Sequence, residues 1–179
     1  MFRRTTENLP TDPHYPADLN ALGFKVNESG QIVKNDTSGE HFDFYHTSSE
    51  RANEVRKEAV HTCARKEVIE RMGELGVKEL FLHGEKYERT KPKDRYVVIL
   101  ATELKELVGK KDVIVIVNES KQDLGMWAYR QLMREPGIDG GSAVGMIKKL
   151  QDWGEPSTEE VSFRVTVLWS CQLILSIQP

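Results

Sequence analysis

The polar side chains best placed for chemistry follow a run of five β-branched residues, Val113 to Val117. Glu119 and Ser120 come just after this run, and Gln122 and Asp123 follow them. A serine hydroxyl beside carboxylates could serve nucleophilic or general acid–base catalysis. In sheets flanked by helices, ligands bind beyond the carboxyl ends of the strands. The sequence therefore predicts that a functional loop follows this run.

A second serine, Ser142, lies in the glycine-rich stretch Gly137 to Gly145. In α/β-hydrolases the nucleophile sits in a G-x-S-x-G turn directly after a strand. Here the residue two after Ser142 is Val144, and the preceding segment has a loop composition. The favoured interpretation is that Ser142 caps the next helix. Phosphate binding is a weaker alternative, because the stretch lacks the Lys-Ser/Thr of a phosphate loop and the spacing of a dinucleotide fingerprint.

Histidine spacing argues against a metal site, since none of the five histidines has a His or Cys partner at i+3 or i+4. We predict no metal and no cofactor. Only His83, at the end of a predicted strand, could act as a base for Ser120 or Ser142. Glu119 and Asp123 are more simply explained as helix-capping carboxylates than as proton-transfer groups.

The continuous β-branched run predicts a strand covered on both faces, in a parallel or mixed sheet with helices on either side. Further strands are predicted over 77–83 and 96–101, separated by a charged, solvated loop over 85–95. The clearest helix begins at a T-x-x-E capping box formed by Thr47 and Glu50. It should end near Gly73 or Gly76.

The other predicted elements are short. In chain order they are an extended arm over 1–22, a hairpin over 23–33 that turns at Gly30, a strand over 41–45, a helical turn over 104–108, a helix over 126–133, a loop over 138–142, a helix from Ser142 to Trp153, and a one-face-buried strand over 161–169.

Composition restricts the class of protein. The 179 residues suit one domain, and 25 basic residues intermixed with 28 acidic ones give a net charge of -3 and no basic stripe. Direct nucleic-acid binding is therefore not predicted. Two isolated cysteines and an amino terminus without an apolar signal core favour a nuclear or cytoplasmic, non-secreted chain. The apolar run over 161–177 contains Arg164 and is short for a membrane span of about 20 residues.

Several motifs resemble the Arb-two domain family. They are Leu9-Pro10-x-Asp12-Pro13-x-x-Pro16-x-Asp18-Leu19-x-x-Leu22-Gly23-Phe24, Val26-Asn27-Glu28, Glu50-Arg51-x-Asn53, Glu119-Ser120-x-Gln122-Asp123-Leu124-Gly125-x-Trp127-Ala128-x-Arg130 and Gly137-Ile138-Asp139-x-Gly141-Ser142. The resemblance covers residues 1 to 154. It implies an α/β fold that is the amino-terminal half of an α/β-hydrolase-like fold, a mixed sheet with flanking helices that is expected to be incomplete.

The family is named for an Argonaute-binding subunit of a fungal small-RNA complex, and its domain also ends fungal class II histone deacetylases. The resemblance thus implies a non-catalytic interaction module in heterochromatin or small-RNA-mediated gene silencing. It implies Argonaute or histone deacetylase and chromatin complexes as partners, and leaves homodimerisation open. Animal relatives have His-Gly after the central strand and a later serine elbow. This chain has Asn118-Glu119 at the first place, which counts against catalysis.

The resemblance divides the chain into an arm over 1–22, an Arb-two-like domain over 23–154, and a divergent tail over 155–179 that we expect to reflect truncation or a gene-model artefact. The predicted loop face comprises Glu119, Gln122, Asp123, Trp127, Arg130, Asp139 and Ser142. Trp127 should anchor the packing, and Arg130 should pair with Asp123 or Asp139. The alternative function is an esterase-like serine hydrolase that uses Ser120 or Ser142.

Overall fold

The computed structural model describes residues 11–36, 39–83, 86–103, 105, 112–119, 122–153 and, for the backbone, 163–170. In this part of the chain, the strands are β1 (Phe24–Val26), β2 (Ile32–Lys34), β3 (Val77–His83), β4 (Lys86–Glu88), β5 (Val97–Thr102), β6 (Asp112–Asn118) and β7 (Phe163–Ser170). The helices are α1 (Glu50–Glu74), α2 (Tyr129–Leu132), α3 (Gly137–Gly141) and α4 (Ala143–Trp153). The predicted α/β class is confirmed. The predicted helical turn over 104–108 lies almost entirely outside the described residues.

The amino-terminal hairpin forms as predicted. β1 and β2 pair antiparallel, and Gly30 supplies a positive φ of 73° in the turn between them. The predicted strand over 41–45 is wrong, because His41 makes only an isolated bridge to Val33. The following residues instead lie irregularly against α1.

The long helix α1 ends as predicted, with Gly76 in a left-handed conformation just beyond it. The predicted capping box is wrong, since Ser49 is the N-cap and its hydroxyl accepts from the backbone N–H of Ala52. Thr47 instead accepts from the backbone N–H of Ser49 and contacts the buried Asn53. Two serines, Ser48 and Ser49, lie just before the helix. The T-x-x-E pattern did not indicate that the second of them is the N-cap.

The main sheet has five strands in the order β4-β3-β5-β7-β6. β3 pairs antiparallel with β4 and β5, β5 pairs antiparallel with β7, and β7 pairs parallel with β6. The predicted mixed sheet is therefore confirmed. The predicted loop between β3 and β5 is wrong in part, because its residues Lys86–Glu88 form the edge strand β4. The charged sequence of β4 suits an exposed edge, where Lys and Glu discourage further pairing.

The β-branched run forms β6 as predicted, but the strand is not covered on both faces. β6 ends the strand order, and Val113, Val115 and Val117 are about half exposed, at 49%, 56% and 60%. The alternate residues Ile114 and Ile116 are half-buried. β-branched residues favour extended backbone whether or not a helix covers them, so the run predicted the strand correctly but did not predict which of its faces are covered.

The segment after β6 contains shorter helices than predicted. The predicted helix over 126–133 is reduced to the four residues of α2, and the predicted loop over 138–142 contains α3. α4 runs to Trp153 as predicted.

The main core lies between α1, the sheet and the residues of the short helices. Its fully buried side chains include Val68 and Met72 of α1, Leu100 of β5, and Leu132 and Ile138. Side chains alternate along β5, so its neighbours Ile99 and Ala101 join a second cluster with Leu80. No described helix is long and apolar enough to cross a membrane.

Candidate functional site

The loop beyond β6 is held in place by hydrogen bonds from its own polar side chains. Gln122 donates through Nε2 to the carbonyls of Met126 and Trp127, at 2.6 and 3.2 Å. The buried Asn118, at the end of β6, donates from Nδ2 to the carbonyl of Asp123 at 3.1 Å. These two amides, one at the end of β6 and one in the predicted loop, fix the course of the described residues 122–127.

Asp123 joins this loop to α1. Its Oδ2 accepts from Arg65 Nη1 at 3.0 Å and from the hydroxyl of Tyr129 at 2.5 Å. Arg65 Nη1 also lies 3.0 Å from the Tyr129 hydroxyl oxygen. The three groups form one charge-assisted network. The predicted capping role of Asp123 is wrong, since the N-cap position of α2 is Ala128 and has no side-chain cap.

The network continues along the polar face of α1. The other Arg65 nitrogen, Nη2, donates to Glu58 at 2.7 Å and to Thr62 at 2.8 Å. Burial lowers the pKa of Arg65, but the hydrogen bonds with Glu58, Tyr129 and Asp123 outweigh it and raise the pKa above its usual value. The Arg65 guanidinium is thus charged, and its Nη1 and Nη2 connect four side chains.

Tyr129 also stacks on His61, with ring centroids 3.9 Å apart and planes 9° from parallel. Burial raises the pKa of the Tyr129 hydroxyl, and its hydrogen bond to Asp123 raises it further. Burial also lowers the pKa of His61, although the carboxylate of Glu58 opposes this effect. At neutral pH the stack therefore consists of a neutral phenol and a neutral imidazole.

Ser142 is completely buried beneath the loop. Its hydroxyl donates to the carbonyl of Ile138 at 2.6 Å and accepts from the backbone N–H of Val144 at 3.3 Å, so it binds the first turn of α4 as predicted. Its backbone forms an isolated bridge with Met126. The neighbouring Gly141 carbonyl accepts from the N–H of Trp127 at 2.9 Å.

The other predicted residues of the loop face lie apart. Glu119 and Arg130 are exposed. Trp127, which we predicted to anchor the packing, is half-buried against the main core. The predicted pairing of Arg130 with Asp123 or Asp139 is wrong. Asp123 pairs with Arg65, as described above, and Asp139 pairs with Lys148 of α4 at 2.8 Å. α4 returns close to α3, and this brings Lys148 to Asp139.

An open groove of about 630 Å³ lies beside the Asp123 network, and we name it the aromatic–basic groove. Segment 42–45 before α1, side chains of α1, and residues around α2 contribute to it. Its lining residues are Phe42, Asp43, Phe44, Tyr45, Lys57, His61, Tyr129, Arg130, Met133 and Arg134. The groove therefore borders the predicted loop through Tyr129 and Arg130, and most of its surface comes from residues that the sequence did not single out.

Arg56 attaches segment 42–45 to α1. It is 7% exposed, and its guanidinium carbon lies 5.2 Å from the Phe24 ring centroid and 5.1 Å from that of Phe42. Its Nη1 donates to the carbonyl of Asp43 at 3.0 Å. One buried cation packed against two adjoining aromatic rings, whose centroids are 5.7 Å apart, thus fixes the wall of the aromatic–basic groove.

Sequence reasoning missed His61, Arg65 and Lys57 as site residues. They lie on the polar face of α1, which resembles an ordinary solvated helix surface. The spacing of His61 and Arg65 at i, i+4 places them on one face, but their partners Asp123 and Tyr129 are about 60 residues away. Only the folded chain reveals this pairing.

Among known proteins, the chain matches one family model, that of the Arb2 domain, over residues 15–177. This match covers nearly the whole chain. The chain belongs to the Arb2 domain family. The Arb2 match extends through residue 177, so it includes most of the tail over 155–179. The division at residues 22 and 154, and the origin of that tail, stay predictions. Comparisons with curated proteins and with solved structures gave no match.

Several motif residues of this Arb2 domain support the fold. Asp12 accepts from Arg51 Nη2 at 2.9 Å and so ties the amino-terminal segment to α1. Asn53 accepts from the backbone N–H of Thr47 at 2.9 Å and donates to its carbonyl at 2.8 Å. The N–H of Ile138 donates to the carbonyl of Gly30 at 2.8 Å, which joins α3 to the hairpin.

Proposed function

We propose that this Arb2 domain is a non-catalytic interaction module that works in heterochromatin or small-RNA-mediated gene silencing. Its partners would be subunits of Argonaute or histone deacetylase complexes. The observation that carries the non-catalytic part is the state of Ser142, whose buried hydroxyl donates to one backbone group and accepts from another. The silencing role rests on membership of the Arb2 family.

The position of His83 argues against its acting as a base for a group at the end of β6. His83 ends β3, and β5 and β7 separate β3 from β6. With neighbouring strands about 4.8 Å apart, the end of β3 lies roughly 14 Å from the end of β6. A general base must approach its nucleophile to about 3 Å, directly or through one water. Ser120, the other candidate nucleophile, lies outside the described residues.

An esterase-like serine hydrolase stays the alternative function, and covalent labelling separates it from the proposal. We expect no modification of Ser120 or Ser142 when the folded chain is incubated with a fluorophosphonate probe and its peptides are analysed by mass spectrometry. An active serine hydrolase under the same conditions controls for probe quality. A label on either serine that heat denaturation prevents would overturn the non-catalytic proposal.

Native co-purification tests the silencing role. The tagged chain, purified from the cells that express it, should enrich Argonaute or histone deacetylase subunits over an untagged control. The expected enrichment concerns the whole chain, because the aromatic–basic groove is only one part of its surface. Recovery without any subunit of a silencing complex, at several salt concentrations, would contradict the role.

A variant of Asp123 tests whether this residue has a structural or a catalytic role. Asp123→Ala should lower the free energy of unfolding by about 1–2 kcal/mol, because Arg65 and Tyr129 each lose a hydrogen-bond partner. The loss stays this small because the Asp123 side chain is 42% exposed and solvent screens its ion pair with Arg65. Asp139→Ala, which removes the exposed pair with Lys148, should cost about 0.5 kcal/mol or less.

Urea unfolding monitored by fluorescence measures both variants. A cost for Asp123→Ala no larger than that for Asp139→Ala would contradict the structural role of the network. Discovery of a specific turnover that Asp123→Ala abolishes without any change in melting temperature would also overturn it, and would favour the hydrolase alternative.

A further inference from the structure

The aromatic–basic groove presents aromatic side chains to solvent. Tyr45 is 79% exposed and packs edge-on against Phe44, with ring centroids 5.0 Å apart. Exposed aromatic side chains in a concave surface are common anchors for protein partners, because they bury much apolar area and lose little conformational entropy. The groove therefore offers apolar surface that is exposed to solvent and accessible to a partner.

The charge of the groove is locally positive. Lys57, Arg130 and Arg134 line it, and Asp43 is the acidic residue of the lining. Arg130 and Arg134 form no ion pair with any residue in the described ranges, whereas Lys57 pairs with Glu54. Two arginines are thus available to an incoming anion on a chain whose net charge is -3. Their forked donors suit bidentate contacts with carboxylates.

Contacts within the chain hold the residues around the groove in place. The parallel stack of His61 on Tyr129, and the bonds from Tyr129 to Asp123, hold the start of α2 against α1. Arg56 holds segment 42–45, which also lines the groove, by donating to the Asp43 carbonyl. A preformed site lowers the entropy lost on binding.

We propose that the aromatic–basic groove binds an acidic peptide segment of a partner protein, with its carboxylates on Arg130 and Arg134 and an apolar side chain on Phe44 and Tyr45. This inference rests on the proposed function, because it names the chemistry of the partner that the module recognises. Charge complementarity favours an acidic peptide over basic ones. RNA is less suited, since nucleic-acid binding draws on many phosphate contacts and the groove offers three cations offset by Asp43.

Fluorescence anisotropy with the full chain tests the proposal. The probe is a fluorescein-labelled peptide in which Glu and Asp residues flank one central Phe. A peptide with Lys in place of the acidic residues and a labelled oligouridine serve as comparison probes. We expect the acidic peptide to bind best and to bind more weakly as salt is raised.

The double variant R130E/R134E should weaken binding of the acidic peptide by about tenfold or more, because two attractions become repulsions. Y45A should weaken it by a smaller factor. The matched control is K93E/R95E, which makes the same charge change at exposed positions between β4 and β5. This control should leave the Kd within about twofold if local rather than total charge decides binding. Unchanged melting temperatures would show that all these variants fold.

Three outcomes would overturn the proposal. They are no binding of the acidic peptide by the wild-type chain, equal losses in R130E/R134E and K93E/R95E, and tighter binding of oligouridine or of the Lys peptide at the same groove. None of these outcomes decides the proposed function, which depends on serine labelling and on co-purification of silencing subunits. The two proposals can therefore fail separately.

Discussion

Replacing Gly137 by alanine is expected to lower the free energy of unfolding by about 3 kcal/mol or more. Gly137 has a φ of 73°, a conformation that costs an L-residue about 1 kcal/mol. A Cβ added there would lie 2.7 Å from the Gly30 carbonyl oxygen and 3.0 Å from that of Ser29. Both atoms belong to the backbone of the β1–β2 turn, so no side-chain rotation relieves the clash. The turn and α3 would have to separate.

Gly23→Ala is the matched control for this variant. Gly23 has a similar φ of 81°, and nothing lies within 4 Å of a Cβ built on it. Its substitution should therefore cost only the conformational penalty, about 1 kcal/mol. Urea unfolding of both variants, with equal m-values, gives the difference directly. Equal losses in the free energy of unfolding for the two variants would show that the hairpin backbone does not clash with a Cβ at Gly137.

The long elements of the fold were predictable from local sequence. α1 carries apolar residues at helical spacing over seven turns, and β3, β5, β6 and β7 each contain a run rich in β-branched or aliphatic residues. Apart from the β1–β2 hairpin, which its turn residues indicated, the short elements were not predictable. α2 and α3 have four and five residues, and β4 is a charged tripeptide. Their positions depend on tertiary contacts, which local patterns do not contain.

The candidate site was also predictable from local sequence only in part. The polar loop after β6 was predictable, because polar residues follow a strand end, and Gln122 binds the backbone of the described part of that loop. The pairing of Asp123 with Arg65 was not, since the two residues are 58 positions apart and other basic residues were nearer in sequence. The exposure of one face of β6 also escaped prediction. Its valines suit either a covered or an exposed face, and only the packing of other elements against the sheet decides which applies.

The resemblance motifs and the groove have different physical roles. Asn53, Gly137 and Ser142 belong to the motifs, and their contacts are internal hydrogen bonds or close backbone packing. By contrast, Tyr45 and Arg134 of the groove lie outside the motifs and are exposed. These three motif residues thus hold the scaffold together, whereas Arg130 belongs to a motif and also lines the aromatic–basic groove. The residues that would choose a partner lie on the surface that this scaffold supports.

Leu100→Ala is expected to lower the free energy of unfolding by about 3 kcal/mol, because it leaves a cavity in the main core. Leu100 is fully buried on β5. Its Cδ1 would lie 3.4 Å from a Cβ placed on Gly125, so it supports the loop that carries Asp123. Thermal unfolding should show a decrease of roughly 6–12 °C in Tm for a domain of this size.

Leu82→Ala provides the same chemical change at a different depth. Leu82 is half-buried against the smaller cluster of Leu80, Ile99 and Ala101, so its truncation removes less buried area and should cost about 1 kcal/mol. The comparison tests whether the sheet face toward α1 dominates stability. If Leu82→Ala costs as much as Leu100→Ala, the two faces of the sheet contribute equally, and the loop beyond β6 does not depend on a single central core.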